Sequence, residues 1–357
     1  MKFIRKDPIL LLLIALPLAI LAEVSHWGEI WVFILSAIGV IPLASYIGEA
    51  TESLAHFTGP RIGGLLNATL GNAAELIITV FAIREGLLEL VKASITGSIL
   101  GNLLLVLGMS MVVGGVRHGI QSFHRQQAIN NAILLTLAIV GLVVPSLFSH
   151  YISPDWSVQV EALSLGVAGV MIVLYALGLV FSFKLSDRPL TAARSEKALP
   201  AKHVWPLRTA IIILVFSTTG VAYLSELLVG AVEPVVARLG ISEFFLGIIL
   251  IPLIGNVAEH LVAVQVASQN KMDLSVEISI ASSLQIALFV APVLVFVSLL
   301  MGNPLTLIFD QFELVALIAG VMIAALVSSD GESNWLEGAE LLAVYAILGL
   351  AFYLLPV

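Results

Sequence analysis

Apolar residues fill this chain in long blocks, separated by short clusters of glycine, proline, asparagine and charge. At roughly 20 apolar residues for about 30 Å of hydrocarbon, eleven blocks predict membrane-crossing helices, near 9–24, 31–54, 63–83, 93–116, 128–148, 158–183, 209–234, 244–268, 276–301, 312–329 and 338–356. The longest polar stretch, Lys184 to Arg208, predicts a linker between spans 2–6 and spans 7–11. The first block follows Lys2, Arg5 and Lys6, a start that resembles a secretory signal peptide. No clear A-x-A cleavage site follows ILLLLIALPLAILA, so it is read as a retained first helix.

Composition agrees with the blocks. The 357 residues are 59% hydrophobic and 11% charged, against about 25% charged in soluble domains, and the mean hydropathy is +1.08. The expected fold class is an all-α polytopic membrane protein embedded in the lipid bilayer. Cysteine is absent, which excludes a disulfide framework, a thiolate metal site and a cysteine nucleophile. Nucleic-acid binding has no support, no cofactor is expected, and neither a serine–histidine arrangement nor HExxH points to an intramembrane enzyme. A homo-oligomer is compatible with this reading.

The formal net charge is -8, but its sidedness carries more information. With the amino terminus inside, thirteen basic residues are cytoplasmic: Lys2, Arg5, Lys6, Arg61, Arg117, Arg125, Lys184, Arg188, Arg194, Lys197, Lys202, Arg208 and Lys271. Only three, Arg84, Lys92 and Arg238, fall outside. The asymmetry supports the span count and predicts a cytoplasmic amino terminus. The short amino-terminal segment fits a prokaryotic plasma membrane.

The two halves repeat. An offset of 184 pairs Gly63 with Gly247, Gly71 with Gly255, Asn72 with Asn256, Ala74 with Ala258 and Glu75 with Glu259, then Ser98 with Ser282, Leu100 with Leu284, Gly101 with Gln285 and Ala132 with Ala316. A shift of three residues brings Glu52 opposite Glu233. A repeat of five helices, being odd, enters the membrane from opposite sides in its two copies, as in many secondary transporters. The predicted organisation is residues 1–30 with an extra first helix, 31–183 as the first five-helix repeat, 184–208 as a cytoplasmic linker and 209–357 as the second repeat.

Each half sets one carboxylate in an apolar span: Glu75 in GNAAEL and Glu259 in GNVAEH. A charge at the bilayer centre costs about 2.5 kcal/mol or more, and neither span holds a Lys or Arg to neutralise it. A cation passing between the two accounts for both. Gly71, Gly255 and Pro252 weaken the helices where carbonyls can be freed. The amide oxygens of Asn72 and Asn256, with Gln285, Asn102, Ser98 and Ser282 from the following spans, complete an all-oxygen ligand set. Such a set suits calcium, which takes about 6–8 oxygens, and manganese accepts it too. Protons compete for the same oxygens. The loaded and protonated sites are both nearly neutral and able to reorient, whereas the empty dianion is costly to move.

His260 is a candidate proton carrier, and Glu52, Glu233, Glu49 and Glu226 are candidates for an ion or proton pathway. Simpler readings stand beside these. The amides and serines also fit interhelical hydrogen bonding, and His260 fits capping of a carbonyl. The four glutamates fit solvated helix ends. Asp330, Glu332, Glu337 and Glu340 fit a solvated loop as well as an ion-collecting mouth, and Gly97 and Gly101 fit close helix packing. A cation channel is compatible with the same duplication, but its flux runs only downhill.

The motifs themselves resemble a known family. GGLLNATLGN before AAELI and GIILIPLIGN before VAEH are similar to the paired signature repeats of calcium/proton exchangers in the calcium/cation antiporter superfamily. The likeness extends over spans 2–11 through GSILGNLLLVLG (Gly97–Gly108), SSLQIALFVAP (Ser282–Pro292) and SDGESNWLEGAELL (Ser329–Leu342). It implies two inverted five-helix repeats with an extra first helix, Glu75 and Glu259 as ion ligands, calcium exchanged for protons, and alternating access. The sodium/calcium branch resembles the same fold, but its repeats carry Thr, Ser and Pro where this chain has Asn and Ala. Sodium coupling is the weaker expectation.

Overall fold

The computed structural model describes residues 8–149, 157–185 and 204–355. A 3-10 turn, Pro8–Ile14, leads into α1 (Ala15–Val24). Then come α2 (Glu29–Leu70), α3 (Ala73–Arg84), and α4 (Leu88–Leu100), which passes through a π-helical turn at Gly101–Val106 into α5 (Leu107–His118). A two-residue strand β1 (Gln121–Ser122) precedes α6 (Arg125–Ser149) and α7 (Ser157–Leu185). The second half holds α8 (Leu207–Gly230), α9 (Val232–Leu239) and α10 (Glu243–Phe245), then a π turn at Leu246–Leu250 and α11 (Ile251–Ala267). α12 (Met272–Gln285) passes through a π turn at Ile286–Val290 into α13 (Ala291–Met301), followed by α14 (Gln311–Val327), β2 (Glu332–Ser333) and α15 (Trp335–Tyr353).

Eight helices among the described residues are long and apolar enough to cross a membrane, and Leu11–Val24 and Gln311–Val327 are shorter apolar helices. The spans expected at 31–54 and 63–83 are arranged differently from two simple rods. α2 runs on to Leu70 with a kink at Gly59, whose φ of 80° suits a residue without a Cβ, and the helix then breaks before α3. The seventh span ends early: its helix stops at Gly230, and Glu233 lies on the separate α9. Lys2, Arg5 and Lys6, and most of the linker with Arg188, Arg194, Lys197 and Lys202, lie outside the described residues.

The joined rod α4–α5 lies at the centre, with Leu90, Ile95, Ile99, Leu103, Leu104 and Leu107 fully enclosed. Peripheral helices turn apolar side chains outward, Leu177 and Phe181 on α7 and Ile347 and Leu350 on α15, as lipid solvation allows. α2 and α8 pack reciprocally. A Cβ on Gly39 would meet Leu224 Cδ1 at 2.7 Å, and one on Gly220 would meet Leu43 Cδ1 at 2.8 Å. These pairs are related by an offset of 181, so the duplication extends into the packing.

Two sets of loop contacts define the two ends of the bundle. At one end β1 pairs antiparallel with β2, Gln121 Nε2 donates to Asn270 Oδ1 (2.9 Å), His124 N donates to Asp273 Oδ1 (2.9 Å), and Trp205 N donates to Ser53 Oγ (3.3 Å). At the other end Asn303 Nδ2 donates to the Ile83 carbonyl (2.9 Å), Leu90 N to Glu243 Oε1 (3.2 Å) and Leu307 N to Ser164 Oγ (3.0 Å). Arg84, Lys92 and Arg238 all belong to this second end. α3 finishes there and α11 finishes at the ribbon end, so the two motif helices run in opposite directions.

Candidate ion-binding site

The first motif sits at a helix break. Gly71 N still donates to the Asn67 carbonyl (2.9 Å), but Asn72, at φ -100° and ψ 19°, leaves the helical register and α3 starts at Ala73. Glu75 therefore lies in the first turn of a helix, where unpaired N–H groups and the positive end of the dipole favour negative charge. The second motif lies inside an unbroken helix. Pro252 has no N–H to give the Ile248 carbonyl, and the ladder is displaced upstream, at Leu246–Leu250. Gly97 of α4 closes over that carbonyl and over the Pro252 ring so tightly that a Cβ would collide with both.

The structure draws all eight sequence-predicted ligands into polar networks that are buried except at the partly buried Gln285. Ser98 Oγ donates to Glu75 Oε1. Asn256 Nδ2 approaches Glu75 Oε2 at 3.4 Å, Ser98 Oγ at 3.2 Å and the Pro252 carbonyl at 3.1 Å. On the other side Ser282 Oγ donates to Glu259 Oε2 (2.6 Å), and Asn102 Nδ2 donates to Ser282 Oγ (3.1 Å). Asn72 Nδ2 donates to Gln285 Oε1 (2.8 Å). Each Glu–Ser pair is separated by 23 residues, one in each half. The networks join because Asn72 and Glu75, Asn256 and Glu259, and Ser282 and Gln285 are three apart, hence neighbours on a helix surface.

Burial gives this arrangement its consequence. Glu75 is 1% exposed and Glu259 9%. Two carboxylates so enclosed require a compensating proton or cation. The Asn72 Oδ1 atom is buried and accepts no hydrogen bond among the described residues, as is Asn67 Oδ1 one turn earlier. An amide oxygen left open beside two carboxylates is a ready ligand for a hard cation. No cluster of three or more His, Cys, Asp or Glu side chains occurs among the described residues, so any ion here is held by two charges and neutral oxygens. Gly255 packs beside Glu75: a Cβ on it would stand in ordinary van der Waals contact, 3.5 Å from Glu75 Cβ.

His260 is buried on α11, about 100° around the helix from Glu259. Glu49 and Glu52 on α2, Glu226 on α8 and Glu233 on α9 are exposed, in contrast to the buried cluster. Glu226 pairs with Arg84 Nη2 at 3.2 Å. Asp330, Glu332 and Glu340 are exposed, whereas Glu337 belongs to a capping box with Asn334 at the start of α15. Gly97 is a packing glycine as expected, but Gly101 is not: a Cβ there would meet open space, on the position that Gln285 occupies in the other half. Sequence reasoning passed over Glu313, which is 1% exposed and accepts from Thr96 Oγ1 (3.0 Å) and Asp310 N (2.8 Å). Its signal was the capping pattern Asp310-x-x-Glu313 ahead of an apolar run.

Opposed motif helices that close one polar cluster inside a lipid-facing helical bundle define a duplicated integral membrane protein with a buried polar cluster at its centre. The sodium/calcium exchanger protein family model matches residues 28–184 and 209–354, and the chain belongs to this family. It is 44% identical over 361 residues to a Ca(2+)/H(+) antiporter of Aphanothece halophytica, covering 97% of this chain and 96% of that one. A Bacillus subtilis Ca(2+)/H(+) antiporter is 45% identical over 343 residues, covering 95% and 96%. The solved structure of native YfkE superposes with a TM-score of 0.85 at 42% identity, covering 97% of this chain and all of the other.

Proposed function

We propose that this protein exchanges calcium for protons across a membrane by alternating access, with Glu75 and Glu259 as the carboxylates that hold either species. The observation that carries this is the twin Glu–Ser arrangement, Glu75 with Ser98 and Glu259 with Ser282, closed by Asn256 and Asn102 from the opposite half. The names of the antiporter relatives support the choice of ions.

Without a cation, hydroxyl and amide hydrogens point at the carboxylates. When calcium enters, Asn256 rotates its amide so that Oδ1 rather than Nδ2 faces the ion, and Asn72 offers the oxygen it already holds open. Gln285, Asn102, Ser98 and Ser282 contribute oxygens directly or through water. When protons replace calcium, the carboxyls become neutral and the same side chains serve as hydrogen-bond partners. Both loaded states are close to neutral, so both can reorient; the bare dianion cannot. His260 passes protons to and from the site, and Glu49, Glu52, Glu226 and Glu233 lead ions toward it. The ribbon end faces the cytoplasm of a prokaryotic plasma membrane, and the halves are 31–183 and 209–357, joined by the linker at 184–208.

The test is uptake of radiolabelled calcium into sealed vesicles under an imposed pH gradient. Uptake follows the gradient, ignores sodium, and its KM for calcium rises as the loading side is acidified, because protons occupy the same oxygens. A KM that does not move with pH overturns the shared site, and sodium-driven uptake overturns the coupling ion.

A further inference from the structure

Glu313 is a buried carboxyl group outside the carboxylate cluster. It lies in the first turn of α14, 1% exposed, and both of its oxygens are occupied. Oε2 accepts from Asp310 N (2.8 Å) and Oε1 accepts from Thr96 Oγ1 (3.0 Å). The first bond closes a capping box, which accounts for a glutamate at this position but not for its burial. Asn334 and Glu337 form the same box at the start of α15, and there the glutamate stays partly exposed. The second bond departs from the habit of this chain. Thr51, Thr58, Thr69, Thr79 and Thr136 each turn the hydroxyl back to the carbonyl four residues earlier in their own helix. Thr96 is fully buried and donates instead from the first half to the second.

The duplication supplies a control. The offset of 184 that pairs the motifs sets Ile280 opposite Thr96 and Ile129 opposite Glu313, and α6 packs on α12 as α14 packs on α4. In the other half two isoleucines occupy these positions, so the packing of the fold does not demand a polar pair, and enclosing a carboxyl group is unfavourable unless its oxygens are satisfied. What the Thr–Glu pair adds is direction. Apolar contacts let one helix shift along or about its axis against another, whereas a hydrogen bond holds to a narrow distance and angle.

The helix so held is the one that carries Ser98. Thr96 and Ser98 are two residues apart, about 200° around α4, so Glu313 grips the back of the helix whose front donates to Glu75 and meets Asn256. Leu100, one turn past Thr96, seats the same face of α4 on α14 at Gly320, where a Cβ would stand 2.6 Å from Leu100 Cδ2. Another glutamate of the second half, Glu243, accepts from Leu90 N (3.2 Å) at the start of α4, whose N-cap residue Leu87 provides no side-chain cap. Past Ser98 the helical ladder slips at Gly101–Val106, so the regular helix bearing the serine is anchored from its other end. We propose that Glu313 is a positioning residue for ion binding: through Thr96 it fixes the height and rotation of α4, and with them the reach of Ser98 to Glu75. The inference rests on the reading of Glu75 as an ion-holding carboxylate.

The KM for calcium in pH-driven vesicle uptake tests this on the full chain. Thr96→Val removes the hydroxyl at nearly constant shape and raises KM about fivefold, the net worth of one hydrogen bond, with the maximal rate unchanged. Glu313→Gln has one acceptor oxygen, which stays with Asp310 N as in other capping boxes, and raises KM to a similar extent. Thr96→Ser keeps the hydroxyl and the wild-type KM. Coupling then separates positioning from general damage: with Ser98→Ala already in place Thr96→Val adds almost nothing, whereas with Ser282→Ala it retains its fivefold increase. An unchanged KM in both Thr96→Val and Glu313→Gln, whatever happens to the maximal rate, overturns the proposal, as does a Thr96→Val effect of full size in the Ser98→Ala background. A Ser98→Ala variant with the wild-type KM overturns the ion-site reading itself, and this proposal with it.

Discussion

The two halves carry the same motif on helices that are built differently. Glu75 is the third residue of α3, just past a break, while Glu259 is the ninth residue of the unbroken α11. A helix start gives Glu75 nearby N–H dipoles, and it also takes donors on both oxygens, from Ser98 and Asn256. Glu259 has no helix terminus beside it and is slightly more open, at 9% against 1%. Its serine is in turn held by Asn102, a residue with no asparagine counterpart in the other half. Duplication has therefore preserved the carboxylate–serine pair and let the backbone around it diverge. Glu75 is the more enclosed of the two, and Glu259 the more accessible.

Removing either charge is the strongest way to break that comparison. Partners behind a metal ligand are worth about 10–100-fold in affinity or activity, so Glu75→Gln and Glu259→Gln each reduce pH-driven calcium uptake by more than about 100-fold. Both variants should melt within a few degrees of wild type in detergent. Substantial transport in Glu259→Gln alone would mean that the halves share a sequence but not a role. The serines sharpen the contrast. Ser98→Ala raises the KM for calcium by about 10-fold or more, and Ser282→Ala raises it less, because Ser98 supports both Glu75 and Asn256. Equal shifts would erase the asymmetry. The smallest effects concern the glycines. Gly97→Ala lowers stability by about 1–3 kcal/mol through overpacking against the Ile248 backbone, whereas Gly101→Ala stays within about 0.5 kcal/mol; thermal melting of the two purified variants distinguishes them.

Much of this was legible from residue order alone. The apolar blocks located the helices, the offset of 184 matched the motif helices, and seven of the eight predicted ligands are buried, with Gln285 partly buried beside them. What escaped was backbone irregularity. GNAAE and GNVAE read alike, yet one ends a helix and the other does not, since Pro252 moves the disturbance several residues upstream. The π turns at Gly101–Val106 and Ile286–Val290 follow Ser98 and Ser282 in both halves. A single slipped hydrogen bond leaves no residue-type signature, so neither was visible. The exposed glutamates were ambiguous for a different reason: an acidic residue near a helix end looks the same whether it faces water or pairs with a distant cation, as Glu226 does with Arg84.

The hydrogen bonds that close the cluster cross from one half to the other: Asn72 to Gln285, Asn256 to Ser98, Asn102 to Ser282. Neither half on its own encloses a finished pocket, because each supplies the wall that the other lacks. A polypeptide of half this length would complete its pocket only by meeting a copy of itself inserted upside down. Fusing two such copies into one chain makes that encounter certain, and frees each side to acquire changes, such as Gln285 opposite Gly101, that a pair of identical subunits would have to carry twice.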